Sequence, residues 1–153
     1  MVEKEDCLML DKYFDELEVG SRNVSRGRTI TESDLVMFSA FSGDWYPLHT
    51  DSEYAASSIF GQRIAHGMLV LSAATGLVPM KPGVVLAFYG MDKVRFTSPT
   101  FIGDTIRVEA EVVDKRDKGD FGVITVRQEI KNQRNEVCNT AILKVALNKK
   151  PAA

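Results

Sequence analysis

Histidine and cysteine are both scarce, with two of each in 153 residues. Cys7 and Cys138 lie far apart and form no Cys-x-x-Cys pair, so there is no disulfide framework. Both are expected to be bystanders in a reduced, cytoplasmic setting. The histidines and cysteines also lack ligand spacing, so no metal site is expected.

An excess of one charge is missing too. The 19 basic and 21 acidic residues are well mixed, for a net charge of −2, with no basic stripe or block. That argues against nucleic acid as a partner. No basic amphipathic helix supports a membrane-surface role. The longest apolar run, 67–80, is too short to span a bilayer and is broken by Ser72, Thr75 and Gly76. Residues 1–11 are acidic and lack the apolar stretch of a secretory signal. What remains has 44% hydrophobic and 26% charged residues, the profile of one soluble globular domain over 1–153 with its core in about 13–148.

The most informative stretch is Gly43-Asp44-Trp45-Tyr46-Pro47-Leu48-His49. Before it, Thr31-Glu32-Ser33-Asp34 predicts a helix start. Thr31 can accept from the backbone N–H three residues on, and the acidic side chains favour the positive end of the helix dipole. Leu35, Phe38 and Phe41 come next at helical spacing. Gly43 ends this helix, because glycine takes the left-handed conformation at low cost. Pro47 stiffens the bend between Asp44 and His49. Thr50-Asp51-Ser52-Glu53 then predicts a capping box that opens the next helix. Asp44 thus falls just past one helix and His49 just before the cap of another. A carboxylate and an imidazole held in such a bend can share one water and move its protons.

Residues 68–78 are apolar on nearly every side, which marks a buried helix. Gly67 falls in its first turn, where backbone N–H groups have no intrahelical acceptor. Residues 22–30 carry a weak strand pattern. After Pro82-Gly83 the pattern becomes one of strands: 84–96 is long and mostly apolar, and 105–112, 123–131 and 137–147 alternate apolar with polar. Lys118-Gly119-Asp120 and 132–135 are the expected hairpin turns. Helices first and antiparallel strands after give the α+β class, with a curved sheet wrapped round one apolar helix. Such a sheet leaves an edge, and a bare edge predicts a homodimer or higher homo-oligomer.

These residues carry a family resemblance. Ser42-Gly43-Asp44-Trp45-Tyr46-Pro47-Leu48-His49-Thr50-Asp51, then Tyr54-Ala55, then Ala65-His66-Gly67-Met68, resemble the MaoC-like hydratases, which include the (R)-specific enoyl-CoA hydratases. Phe96-Thr97-Ser98-Pro99 and Gly103-Asp104-Thr105 are similar to that family's first long strand and the turn after it. The likeness covers roughly 14–147. It implies a hot-dog fold, with a long central helix wrapped by a curved antiparallel sheet and chains paired as dimers. It also implies that Asp44 and His49 are catalytic and that the Gly67 N–H meets the thioester carbonyl. Thr75 takes the place of a serine that helps position the pair. Tyr46 stands where many (R)-hydratases carry Asn, and is expected to shape the acyl pocket. The implied substrate is an acyl-CoA or acyl-carrier-protein thioester, with no cofactor.

The chemistry fits the residue types. Hydration of a 2-enoyl thioester needs a water held over the double bond and deprotonated as it attacks. Histidine suits proton transfer near neutrality, and a carboxyl in an apolar cleft can turn acid. The enolate oxygen suits a backbone N–H at a helix start. Two other readings stand beside the hydratase: a non-catalytic acyl-thioester-binding protein and a hot-dog thioesterase. His66 is expected to be structural. Lys81, Lys93 and Arg95 could meet coenzyme A phosphates, though scattered cations are usually only solvated.

Overall fold

A computed structural model describes residues 10–153. Cys7 and most of the acidic leading segment lie outside the described residues. The chain opens with a 3₁₀ turn at Phe14–Glu16, which buries Phe14. Two short strands come next, β1 (Arg22–Val24) and β2 (Arg28–Thr29). The single strand expected over 22–30 is therefore broken. Both pieces pair antiparallel with one longer strand, β4 (Thr105–Asp117).

Helix α1 (Glu32–Ser42) begins as its sequence predicts. Thr31 Oγ1 accepts from Asp34 N at 3.3 Å, and Asp34 Oδ2 accepts from Thr31 N at 2.8 Å, so the box closes from both sides. Gly43 caps its other end at φ 78°, in the left-handed region. Leu35 is buried and Phe38 is half-buried. Phe41 is 90% exposed, against the expectation from its spacing.

The bend after α1 holds two short helices, α2 (Pro47–Thr50) and α3 (Ser52–Ala56). The N-cap of α3 is Asp51, whose carboxylate accepts from Tyr54 N at 3.0 Å. The sequence places Thr50 there instead. Its hydroxyl donates back to the Trp45 and Tyr46 carbonyls, at 3.0 and 3.2 Å. His49 therefore lies inside a helical turn rather than before a cap.

Helix α4 (Gly67–Thr75) is the central helix. It is nine residues long, about 13 Å, shorter than the expected long helix. Leu69, Val70, Leu71, Ala73 and Ala74 are buried, while Met68, Ser72 and Thr75 are exposed along one stripe. The helix is thus not buried on all sides within one chain.

The sheet is antiparallel, in the order β1–β4–β5–β6–β3, with β2 beside β4. Strands β5 (Phe121–Lys131) and β6 (Val137–Asn148) come after β4 through the expected hairpin turns. In β4, buried Ile106, Val108, Ala110 and Val112 alternate with Arg107, Glu109 and Glu111. Their buried face joins Ile124, Val126 and Ile130 of β5, Val145 and Leu147 of β6, and the apolar side of α4 in one core. Strand β3 (Val85–Phe96) forms the far edge. It carries three irregularities of register and leaves Leu86, Phe88, Tyr89 and Phe96 more than half exposed. No helix among the described residues is long and apolar enough to cross a membrane.

Candidate active site

Asp44 comes directly after the αL glycine that ends α1, so its side chain leaves the helix end at once. The carboxylate folds into a local turn, with Oδ1 accepting from Tyr46 N at 3.2 Å. The Asp44 N–H donates to Ser42 Oγ at 3.2 Å. Asp44 is exposed, not enclosed in an apolar cleft.

His49 stands on α2. Its Nδ1 lies 2.7 Å from the Ile64 carbonyl. A carbonyl only accepts, so Nδ1 carries the proton and Nε2 of the neutral ring keeps a lone pair. Arg63, next to Ile64, forks onto Glu32 at 2.8 and 2.6 Å. That hydrogen-bonded pairing holds the Glu32 carboxyl below its ordinary value and raises Arg63. It ties the stretch before α4 to the first turn of α1.

His66 is the N-cap residue of α4 and is 2% exposed. Its ring stacks on His49, with centroids 3.9 Å apart and planes at 26°. Its Nε2 lies 3.1 Å from the main-chain carbonyl of Asp44 and 3.1 Å from Ser39 Oγ. The carbonyl again fixes the proton, here on Nε2. Burial pushes His66 below the usual histidine range, partly offset by that hydrogen bond. Polar atoms of Asp44, His49 and His66 lie within 4.8 Å of one another. By donor type these three could gather round a cation, against the expectation of no metal site: the carbonyl partners take one N–H of each ring and leave a lone pair on His49 Nε2 and on His66 Nδ1.

Gly67 is the first residue of α4, so its N–H has no intrahelical acceptor. Gly67 and His49 both line a mainly apolar cavity of about 330 Å³, with Phe60, Ile64, Met68, Val70 and Phe96. The loop 97–100 and Cys138 complete its wall. Burial pushes the Cys138 thiol up. Asp104 anchors that loop: it accepts from Phe101 N at 2.9 Å, Gln133 Nε2 at 2.8 Å and Arg134 Nη1 at 3.1 Å. Burial alone would raise the Asp104 carboxyl, but these donors outweigh it and hold it below its ordinary value. A larger hollow, about 900 Å³, lies over β1, β4 and β5 and holds none of the motif residues.

The structure brings polar atoms of Asp44, His49 and His66 together, and His49 and Gly67, but not Asp44, line the 330 Å³ cavity. Tyr46 stands beside His49, with ring centroids 6.4 Å apart, and its hydroxyl meets Tyr54 Oη at 3.1 Å. It is more than half exposed and does not line the 330 Å³ cavity. Thr75 stands apart, about 12 Å along α4 from Gly67. Its hydroxyl donates to the Ser72 carbonyl at 2.7 Å. Lys93 and Arg95 are exposed on β3, and Lys81 is exposed before it. The Ile64 carbonyl, the Phe96 ring and the His49–His66 stack carried no local signal in the sequence.

The family described as MaoC like domain matches residues 18–134. The protein MaoC of Klebsiella aerogenes is 46% identical over 99 residues, 63% of this chain, and the match spans only 29% of that protein. An (R)-specific enoyl-CoA hydratase of Rhodospirillum rubrum is 37% identical over 103 residues, 65% of this chain and 69% of its own length. A solved monoamine oxidase regulatory protein from Archaeoglobus fulgius superposes with a TM-score of 0.86 at 44% identity, over 92% of this chain and 96% of that one. A Mycobacterium tuberculosis protein with a double hotdog fold superposes at a TM-score of 0.83 and 23% identity, over 93% of this chain and 46% of its own. The chain therefore belongs to the MaoC-like domain family and has its hot-dog fold.

Proposed function

We propose that the chain is a hydro-lyase. It adds water across the double bond of a 2-enoyl thioester to give the (R)-3-hydroxyacyl thioester, or runs the reverse dehydration. One observation carries this reading. His49 donates through Nδ1 to the Ile64 carbonyl, which leaves a lone pair on Nε2 of the neutral ring, and His49 lies near the Asp44 carboxylate and on one cavity wall with Gly67. The relatives named hydratase and dehydratase support it, among them the Rhodospirillum rubrum enzyme and a 3-hydroxyacyl-thioester dehydratase of Mycobacterium tuberculosis.

In this mechanism the acyl chain enters the 330 Å³ cavity and its thioester oxygen faces the Gly67 N–H. A water sits between the Asp44 carboxylate and His49 Nε2. His49 takes a proton as the water oxygen bonds to the β carbon. The electron pair of the double bond moves onto the thioester oxygen as an enolate, where the Gly67 N–H stabilises it. The proton held by the pair then passes to the α carbon, and the enolate collapses. Only water is consumed, so the step balances without a redox partner.

The thioester carrier is coenzyme A or an acyl-carrier protein, and the setting is the cytoplasm. The working form is a homodimer, supported by the apolar β3 edge, which pairs with no further strand among the described residues, and by the exposed stripe of α4. The test is direct: purified chain is given crotonyl-CoA and longer or branched enoyl-CoAs. Loss of enoyl absorbance, an (R)-3-hydroxy product and no free thiol support the reading. Free thiol release would make it a thioesterase. Tight binding without turnover would make it a binding protein.

A further inference from the structure

We infer that His66 is the positioning residue for the Asp44–His49 pair: its ring backs His49, and its Nε2–H holds the main chain of Asp44. This rests on the hydratase reading above.

His66 is a poor choice for packing alone. It is 2% exposed, and its Nδ1 is buried with no hydrogen-bond partner among the described residues. A buried polar atom left unpaired costs about 1–3 kcal/mol. The ring already packs near Phe38, with centroids 4.9 Å apart, so a phenyl group would suit the surroundings without that penalty. What a phenyl group could not do is donate to Asp44. The Nε2–H reaches the Asp44 carbonyl at 3.1 Å, and Ser39 Oγ shares the same nitrogen from inside α1.

Three elements meet in this one ring. It begins α4, it contacts α1 through Ser39, and it lies flat on His49 of α2. The Asp44 carboxylate has no rigid element of its own, only the turn bond to Tyr46 N. The hydrogen bond from His66 fixes the main chain from which that carboxylate hangs. The stack fixes the plane of the ring that must point Nε2 at the same water. Both matter because an error of about 1 Å in such a pair costs on the order of 100-fold in rate. Burial also disfavours the charged form of His66. The other charged groups nearby are Asp44 itself and Arg63, which is paired with Glu32 behind the His49 main chain. The Tyr46 hydroxyl is bound to Tyr54.

Two substitutions separate the stack from the hydrogen bond. His66→Phe keeps a flat ring and removes both nitrogens. His66→Gln keeps an N–H near the Nε2 position and loses the ring. His66→Phe is expected to fold, to lower kcat about 10- to 100-fold with KM nearly unchanged, and to shift the pH profile of kcat. His66→Gln is expected to recover part of that loss. A purely structural role would lower the melting temperature and leave kcat and its pH profile alone.

Imidazole nitrogen NMR on the parent chain supplies a readout that does not depend on turnover. With two histidines, one variant assigns both rings. His66 is expected in the neutral Nε2–H form as the pH falls through about 6.5, the ordinary histidine value. Titration there, or a proton on Nδ1 in place of Nε2, would overturn the inference. So would a His66→Phe chain with the kcat and pH profile of its parent. An inactive parent would overturn the hydratase reading and this inference with it, whereas an active parent with an equally active His66→Phe overturns the inference alone.

Discussion

The ring of Phe96 fills the space where a side chain on residue 67 would stand. A Cβ there would lie 2.6 Å from Phe96 Cε1 and 2.8 Å from Cδ1. A side chain at the start of α4 would thus have to displace the Phe96 ring before any chemistry is considered. The two roles can be separated, because the first position of a helix tolerates proline and His66, at ψ 134°, already has the extended backbone that precedes one. Phe96→Ala makes room for either Gly67→Ala or Gly67→Pro. The proline form replaces the backbone N–H of residue 67 with a ring methylene, so it loses the donor and fills its place. If that N–H receives the enolate, kcat of the proline form should be about 10²–10³-fold below that of the alanine form. Equal kcat values would remove Gly67 from the chemistry.

Among the described residues, strand β3 presents an unpaired edge twelve residues long, with Leu86 and Tyr89 exposed on it. An open apolar edge invites pairing, and lysine on it blocks pairing. The parent chain is expected to scatter light as a dimer at micromolar concentration. Leu86→Lys with Tyr89→Lys should shift it to monomer and lower activity. A fully active monomeric parent would refute the dimer.

Stability should fall with acid in two pH ranges. His66 is held below its ordinary value by burial, so only the unfolded chain takes up its proton as pH falls through about 6.5. Stability then declines by at most about 1.4 kcal/mol per pH unit from this one group. Asp104 and Glu109 are held below their ordinary values instead, so their contribution is present near neutrality and lost at lower pH, as they protonate. Melting temperature measured from neutral pH down should fall in both ranges for the parent. His66→Phe should flatten the upper range and leave the lower one. Identical slopes would mean that His66 is not held neutral.

Local features were legible in the sequence. Thr31 and Gly43 set the ends of α1 through bonds within a few residues, and the alternation in β4 recorded which face is buried, whereas β5 is buried on both faces over 122–126 and β6 does not alternate. The proximity of Asp44 and His49 came from a short bend with a proline inside it. Phe41 departs from its expected burial for a geometric reason: steps of three fall 60° short of a turn each time, which carries Phe41 about 120° round from Leu35. Thr50 could have capped α3, but its hydroxyl is used by the turn before it. Other features depend on distant parts of the chain. The Ile64 carbonyl that selects the His49 tautomer, the Phe96 ring against Gly67 and the stack of His66 on His49 all arise where the start of α4 crosses the bend. Nothing in the local sequence at either partner records that crossing.

The most direct test of the account is kcat on one enoyl-CoA for Asp44→Asn, His49→Ala and the double variant, each checked for folding by circular dichroism. If the pair shares one water, each single change should lower kcat by about 10²–10⁴. The double change should be scarcely worse, because groups that act as a unit are not additive. A folded His49→Ala chain within a few-fold of its parent would contradict the account and move the chemistry away from this bend.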